Sequence, residues 1–555
     1  MNRLQLLPVA AVLLLQACSN SSSSTTPSSS SQNEATVAAM APSDQVEQLL
    51  DAPAYVQRQA IMDKKISVEA LTQAYIERIK RLDPRTQSVI AINPQAITQA
   101  QAKDAQLARG QSEPGTLFGL PVLLKDNIET QELPTTAGSL ALANNETRRD
   151  APLVHNLKQA GAIILGKTNL SEWANFRSEA SISGWSAIGG LTRNPYNLSR
   201  SACGSSSGSG AAIAADFAAL AVGTETNGSI ICPASFNGIV GYKPTVGLIS
   251  RRYVVPISHS QDTAGPMVKS VTDAILMAGA MAGEDPKDTA TVDGKRVVLE
   301  TPEQLTNGLK GVKVGVVRFA QGDDERVLQQ YNQALTTLEQ QGAKLVEIRE
   351  HQMPEGFWEN AYHVLLAEFK TGINKYLAEV PNELPATTLT GLIAYNQQSA
   401  RELGLFNQDI FEQAQATEGA QQSRYQQASD MVTTATTENG IDKLLEQHQV
   451  DLLVAPSNAP AFLIDTLYGD HAPGGFIGIG YMAAIAGYPH VSVPAGLVNG
   501  MPVGLSFIGA KWQDNQVLAA GLAFEQAHAP IPAPQFLNSD AELEQHQKLL
   551  KPVQP

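Results

Sequence analysis

Glycine and serine are concentrated at the two ends of one short apolar stretch. The first end reads Cys-Gly-Ser-Ser-Ser-Gly-Ser-Gly at residues 203–210, and the second reads Gly-Thr-Glu-Thr-Asn-Gly-Ser-Ile at residues 223–230. Glycines allow a tight turn and bring backbone N–H groups close to a ligand. A serine in such a loop becomes a nucleophile when a neighbouring group takes its proton. The two segments together therefore predict a nucleophilic site.

The first segment also matches Gly-x-Ser-x-Gly, the nucleophile elbow of α/β-hydrolases, at residues 204–208. In that interpretation Ser206 is the nucleophile, and an acid and a histidine follow it along the chain. None of the nine histidines lies in a recognisable triad context. The histidines therefore give the elbow interpretation no support.

The sequence resembles the amidase signature family at several separated positions, which together span about residues 50–515. The matching motifs are the two Gly/Ser segments, Lys-Pro-Thr at 243–245, Leu-Pro-Val-Leu-Leu-Lys-Asp at 120–126, Gly-Lys-Thr-Asn at 166–169, Ala-Gly-Tyr-Pro at 486–489 and Pro-Val-Gly at 502–504. Within the family, the triple serine at 205–207, Glu-Thr-Asn-Gly-Ser at 225–229 and Ser-Gln-Asp-Thr-Ala-Gly-Pro at 260–266 look most like the bacterial peptide amidases. That group hydrolyses the C-terminal amide of peptides.

The resemblance implies a role for three side chains. Ser229 would be the nucleophile, Ser205 the bridging serine and Lys125 the ultimate base, and Ser229 follows Ser205 by the 24 residues that the family shows. The family holds its bridging serine at a cis peptide bond. The implied oxyanion donors are backbone N–H groups of the turn that ends at the nucleophile: Thr226, Asn227, Gly228 and Ser229.

A lysine can act as a base only if its pKa is well below the ordinary ~10.4. Burial lowers the pKa of a lysine, and Lys125 follows the apolar run Val-Leu-Leu at 122–124. A shift of ~3 units costs ~4 kcal/mol, which the surrounding core must supply. Asp126 is adjacent in sequence, but along a strand it would point to the opposite face. Neutral Lys125 would then take a proton from Ser205 while Ser205 takes one from Ser229.

The residues two and three positions after Ser229 bear on the charge of the substrate. Some relatives carry an arginine there that can hold an anionic substrate, whereas this chain has Ile231 and Cys232. The site is therefore expected to prefer a peptide amide or another neutral carboxamide. No pattern of residues predicts a metal or a cofactor.

The elements that must position these residues read as an α/β protein. We expect one large domain with a central mixed β-sheet covered by helices on both faces, the amidase signature fold. The periodicity predicts helices at 67–82, 153–159, 211–219 and 323–341, and strands at 117–124, 162–165, 312–318, 343–348, 452–455 and 491–493. Ser67 is the expected N-cap of the first helix, and Asp83-Pro84 is its expected stop. Residues 41–540 are the expected domain, about 350–440 a helical insertion or cap, and 541–555 a tail.

The N-terminus reads as an export signal. Residues 1–17 are mostly apolar but too short to span a membrane, and they end at Leu-Gln-Ala before Cys18, as in a lipoprotein processing site. Residues 18–40, rich in serine, then form a flexible tether. We expect an exported protein of the periplasm or outer membrane, lipid-anchored at Cys18. An ordinary signal peptide is the alternative.

Besides Cys18, the chain has only Cys203 and Cys232. A disulfide between them and two buried free thiols are both compatible with the sequence. Three cysteines are too few for a disulfide scaffold or a cysteine-rich zinc site.

Composition narrows the function classes. The net charge of -15 argues against a nucleic-acid partner, because phosphate binding relies on lysine and arginine. The amidase subunit of a tRNA-dependent amidotransferase shares the motifs, but export disfavours it. The remaining alternatives are an amidase of small neutral amides and a non-catalytic envelope binding protein on the same scaffold. The sequence does not determine the oligomeric state.

Overall fold

A single eleven-stranded mixed sheet forms the centre of the protein, with helices packed on both faces, as the sequence predicts. The computed structural model describes residues 46–110, 114–292, 297–306, 308–472, 477–547, 549–550 and 552–553. The expected signal peptide, Cys18 and the serine-rich tether lie outside these residues.

In chain order the strands are Val89–Ile92 (β1), Pro121–Lys125 (β2), Ile163–Thr168 (β3), Trp185–Ser186 (β4), Gly190–Leu191 (β5), Leu220–Glu225 (β6), Val240–Lys243 (β7), Thr263–Val268 (β8), Lys313–Val317 (β9), Lys344–Ile348 (β10), Leu452–Pro456 (β11), His490–Val498 (β12) and Met501–Ile508 (β13). Their order across the sheet is β1-β3-β2-β6-β8-β7-β12-β13-β11-β9-β10. Strands β4 and β5 pair separately. Strand β2 is parallel to β3 and β6, whereas β6 is antiparallel to β8.

The helices that the structure describes are mostly short. They are Ala54–Met62, Val68–Thr86, Ala96–Arg109, Pro152–Gln159, Ser207–Ala214, Ile231–Asn237, Val271–Met281, Glu325–Gln340, Phe357–Glu379, Leu389–Asn396, Asp409–Ala416, Ser423–Thr436, Asp442–His448, Gly480–Ala486, Asp514–Ala527 and Glu544–Gln547. Within the described residues, no helix combines the length and the apolar character that crossing a membrane requires.

The predicted stop of the first long helix is wrong. Ser67 caps its N-terminus by accepting from the backbone N–H of Ala70, as expected, but the helix continues to Thr86 with Pro84 inside it. The buried carboxylate of Asp83 accepts hydrogen bonds from the Thr86 hydroxyl and from the backbone N–H of Ser88 (both 2.8 Å). These bonds stabilise the extra turn beyond the proline.

The helix predicted at 211–219 is also misplaced. It runs over Ser207–Ala214, so it begins inside the Gly/Ser segment. The serines of that segment are buried and bonded: Ser209 Oγ donates to the carbonyl of Val222 (3.0 Å). This bond holds the segment against β6, and residues 207–210 form the first turn of the helix instead of a loop.

Four helices lie between Phe357 and Thr436, where the sequence predicts a helical insertion. They pack into two apolar clusters, one around Phe369 and Phe411 and the other around Phe357 and Val432, and both clusters also include residues from outside this region. The boundaries of this region as an insertion stay a prediction.

Candidate active site

Lys125 ends strand β2 and is fully buried. Its Nζ lies 2.8 Å from Ser205 Oγ, 2.9 Å from Thr224 Oγ1 and 3.2 Å from the Thr224 carbonyl oxygen. The parallel pairing of β2 with β6 sets the lysine beside Thr224, because Leu124 is the partner of Val222. A neutral amine has two N–H donors and one lone pair. The two N–H groups donate to the carbonyl and hydroxyl oxygens of Thr224, which leaves the lone pair to accept a hydrogen bond from the hydroxyl of Ser205.

Burial lowers the pKa of Lys125 to about 7, although the charges of Asp262 and Glu225 partly oppose the shift. The apolar run before Lys125 predicts this direction of the pKa shift and roughly this size. Asp126 contributes no ion pair to the site, because its carboxylate binds Lys167 Nζ on the other face of the strand (2.9 Å). A substantial fraction of Lys125 is therefore neutral near pH 7 and able to accept a proton.

Ser205 is fully buried and follows a cis peptide bond to Gly204, as the family resemblance implies. Its carbonyl oxygen accepts from the backbone N–H of Ser171 (3.1 Å). Its hydroxyl contacts Lys125, so the structure brings together the expected base and the expected bridging serine.

Ser229 lies at the end of the second Gly/Ser segment, immediately before helix Ile231–Asn237. It is 9% exposed, and its carbonyl oxygen accepts from the backbone N–H of Ser206 (3.2 Å), which joins the two segments. No hydrogen bond joins the hydroxyls of Ser205 and Ser229 among the residues that the structure describes. The role of Ser229 as nucleophile therefore stays a prediction.

The turn before Ser229 has the features of an anion-binding site. Within the described part of the chain, the backbone N–H groups of Thr226, Asn227, Gly228 and Ser229 donate to no protein acceptor. Gly228 has φ +81°, a backbone conformation that glycine adopts without the strain that a side chain would cause. The space where a side chain would begin is empty. The Glu225 carboxylate accepts from the backbone N–H groups of Ile230 (2.7 Å) and Ile231 (3.0 Å) and holds the far end of the turn.

Ser206, the nucleophile of the elbow alternative, is fully buried and occupied. Its Oγ donates to the Thr224 carbonyl (3.0 Å) and accepts from the Thr224 N–H (3.2 Å). A hydroxyl engaged on both sides by one backbone residue serves to hold the loop. The geometry argues against the elbow.

Cys203 and Cys232 form a disulfide, which decides between the two possibilities that the sequence leaves open. Their Cα atoms lie 5.9 Å apart. The bond connects the residue just before Gly204 with helix Ile231–Asn237 just after Ser229. The two halves of the site are thus covalently joined.

Two further residues of the site, Thr224 and Asp262, are not predicted by the sequence. Thr224 contacts Lys125 through both its hydroxyl and its carbonyl, and Asp262 accepts from the hydroxyl of Thr226 (2.5 Å). Both lie in segments that carry the family resemblance, but no local pattern signals these contacts. They arise from strand pairing, since β6 lies between β2 and β8.

Comparison with known proteins shows the family of this chain. The family model described as Amidase matches residues 70–518. A relative from Arabidopsis thaliana named a probable amidase is 37% identical over 492 residues, which cover 86% of this chain and 90% of the relative. The crystal structure of the peptide amidase from Stenotrophomonas maltophilia is 42% identical and superposes with a TM-score of 0.81, covering 88% of this chain and 99% of that one. A peptide amidase in complex with the competitive inhibitor chymostatin is 43% identical, with a TM-score of 0.82 and coverages of 87% and 99%.

Proposed function

We propose, from the premise that this chain belongs to the amidase signature family, that it hydrolyses the C-terminal amide of peptides through Lys125, Ser205 and Ser229. That it is an amidase, a hydrolase of carboxamide C–N bonds, follows from the family. The single observation that carries the proposed relay is the 2.8 Å contact between Ser205 Oγ and a buried lysine whose pKa is about 7.

The relay first carries a proton from Ser229 to Lys125 and then returns a proton to the leaving nitrogen. Ser229 Oγ attacks the amide carbon as its proton passes to Ser205 and the proton of Ser205 passes to Lys125. The N–H groups of the turn at 226–229 stabilise the oxyanion, a contribution that reaches about 3 kcal/mol for one well-placed donor. The relay then returns a proton to the nitrogen as the C–N bond breaks, which releases ammonia and leaves an acyl-enzyme. Water attacks the acyl group through the same relay and regenerates Ser229.

Two features support a peptide amide as the substrate. Ile231 and the disulfide-bonded Cys232 offer no cation to an anionic substrate. The chain also shares 42% identity over nearly the whole length of a peptide amidase.

The experiment that tests the proposal is ammonia release from peptide amides and from small aliphatic amides. The full-length chain is compared with Ser229→Ala, Lys125→Met and Ser206→Ala. We expect release from peptide amides, none with the first two variants, and residual activity with Ser206→Ala. Release only from small amides would change the substrate class, and activity that survives Ser229→Ala but not Ser206→Ala would restore the elbow. A wild type that binds peptide amides without turnover would be a binding protein.

We also propose that the protein is exported and lipid-anchored at Cys18. The short apolar segment before the cysteine and the serine-rich tether after it support this. Mass spectrometry of the N-terminus of the protein isolated from membranes tests it, with Cys18→Ala as the control. An unmodified N-terminus at any other residue would contradict the anchor.

A further inference from the structure

Residues 257–262 form a tight polar turn that lies between the catalytic turn and the helical region 357–436. Asp262 closes this turn by accepting from the backbone N–H groups of Ile257 (2.8 Å) and Ser258 (2.9 Å). The same carboxylate accepts from the hydroxyl of Thr226, the first residue of the turn that ends at Ser229. The carboxylate of Asp262 thus holds both turns.

The strand register explains why Asp262 and Thr226 meet. Strand β6 pairs antiparallel with β8, and the last pair in register is Glu225 with Thr263. The next residues outward on each strand are Thr226 and Asp262, so the carboxylate and the hydroxyl face each other where the sheet ends. Asp262 is partly buried, and desolvation raises its pKa to about 6, against the effect of its hydrogen bonds.

A buried carboxylate, that of Glu368, holds the other side of the 257–262 turn. Glu368 lies in helix Phe357–Glu379 and is 1% exposed. It accepts from the hydroxyl of Ser258, and from both the backbone N–H (3.2 Å) and the hydroxyl (3.0 Å) of Ser260. The hydroxyl of Tyr425, on helix Ser423–Thr436, donates to the same carboxylate (2.6 Å). Two helices of the 357–436 region therefore bind the turn through one acid.

Fixed donors are what an oxyanion site requires, because donors that must reorient during the reaction lose much of their effect. Glu225 fixes the far end of the catalytic turn at Ile230 and Ile231, and the near end has the Thr226 hydroxyl as its side-chain tether. Hydrogen bonds through the 257–262 turn connect the near end to the helical region. Loss of either carboxylate would loosen the near end while leaving the side chains of Lys125, Ser205 and Ser229 present.

We propose that Asp262 and Glu368 are positioning residues that hold the Thr226 end of the oxyanion turn against the helical region 357–436. Neither touches the reacting atoms in this arrangement; each acts through the 257–262 turn. The proposal rests on the proposed function, since it assigns these acids to the same reaction.

The test measures kcat and KM of the full-length chain on a dipeptide amide for Asp262→Asn, Glu368→Gln and Thr226→Val. Asp273→Asn is the matched control, because Asp273 also has its pKa raised by desolvation to about 6 and also accepts from two backbone N–H groups, those of Ala54 (3.0 Å) and Tyr55 (2.9 Å). We expect kcat to fall about tenfold or more in Asp262→Asn with little change in KM, a part of the 10²–10³ that loss of a whole donor causes. Glu368→Gln lowers kcat in the same direction, whereas Asp273→Asn lowers the melting temperature without lowering kcat.

Two further readouts separate positioning from a general structural role. Asp262→Asn combined with Thr226→Val should be no slower than the slower single variant, because both remove the same contact. Asp262→Asn should also move the acid limb of the kcat/KM profile to lower pH, because it removes one of the two negative charges that raise the pKa of Lys125. The other charge is that of Glu225 on β6, and the hydrogen-bond partners of Lys125, Ser205 and Thr224, are neutral.

An unchanged kcat in Asp262→Asn, additive effects in the double variant, or an equal fall in kcat in Asp273→Asn would overturn the positioning role. If instead the wild type releases no ammonia from any amide, the proposed function fails first. The two failures are therefore distinct.

Discussion

Replacing Lys125 with methionine should abolish activity and, in acidic solution, make the protein more stable. The lysine is fully buried, and its pKa falls from an ordinary value of 10.5 to about 7. The folded state therefore binds this proton less tightly than the unfolded state does. Below pH 7 the burial lowers stability in full, and the effect fades as the pH rises toward 10.5.

The magnitude follows from the shift. A change of about 3.5 units corresponds to about 5 kcal/mol of lost stability below pH 7, and to about 2 kcal/mol at pH 9. Methionine removes this ionisation effect but also the contacts with Ser205 and Thr224, each of which stabilises by about 1 kcal/mol. Those contacts contribute equally at both pH values. The stability of Lys125→Met relative to the wild type should therefore fall by about 2–3 kcal/mol between pH 6 and pH 9.

Urea unfolding of both proteins at pH 6 and pH 9 measures this difference directly. Lys80→Met is the control, because Lys80 is exposed on helix Val68–Thr86 and its replacement should have the same effect at both pH values. A stability difference for Lys125→Met that does not change with pH would show that the lysine stays charged in the folded protein. The reasoning behind the general base would then be refuted.

Three other outcomes follow from the same geometry. Since only neutral Lys125 accepts a proton, kcat/KM of the wild type should rise with pH around a midpoint of about 7, and a profile flat from pH 5 to 9 would contradict this. Thr224→Val, which removes the hydroxyl beside Lys125 Nζ, should lower kcat about tenfold, measured against Thr224→Ser. The double variant Cys203→Ala/Cys232→Ala should lose about 3–4 kcal/mol of stability, because the disulfide closes a loop with a sequence separation of 29; a melting temperature equal to that of the wild type would exclude this.

Much of the fold was predictable from local patterns. Strands β3, β9, β10 and β11 and helices Pro152–Gln159 and Glu325–Gln340 lie within about two residues of the expected ranges at most ends, because apolar runs and amphipathic periods are local signals. Strands β7, β8 and β13 were not predicted. Each is rich in glycine or proline for its length, and their pairing in the sheet compensates for weak local preference.

The sequence by itself determined the class of fold and the family, and its resemblance to that family predicts the roles of Lys125, Ser205 and Ser229, because short motifs at set spacings carry that information. The pKa of Lys125, the contacts of Thr224, the disulfide and the Asp262–Thr226 bond were decided only by the tertiary structure. Residues 125, 224 and 262 become neighbours because β6 pairs with β2 on one side and with β8 on the other. Strand pairing joins residues about a hundred positions apart, and no local pattern encodes which strands meet.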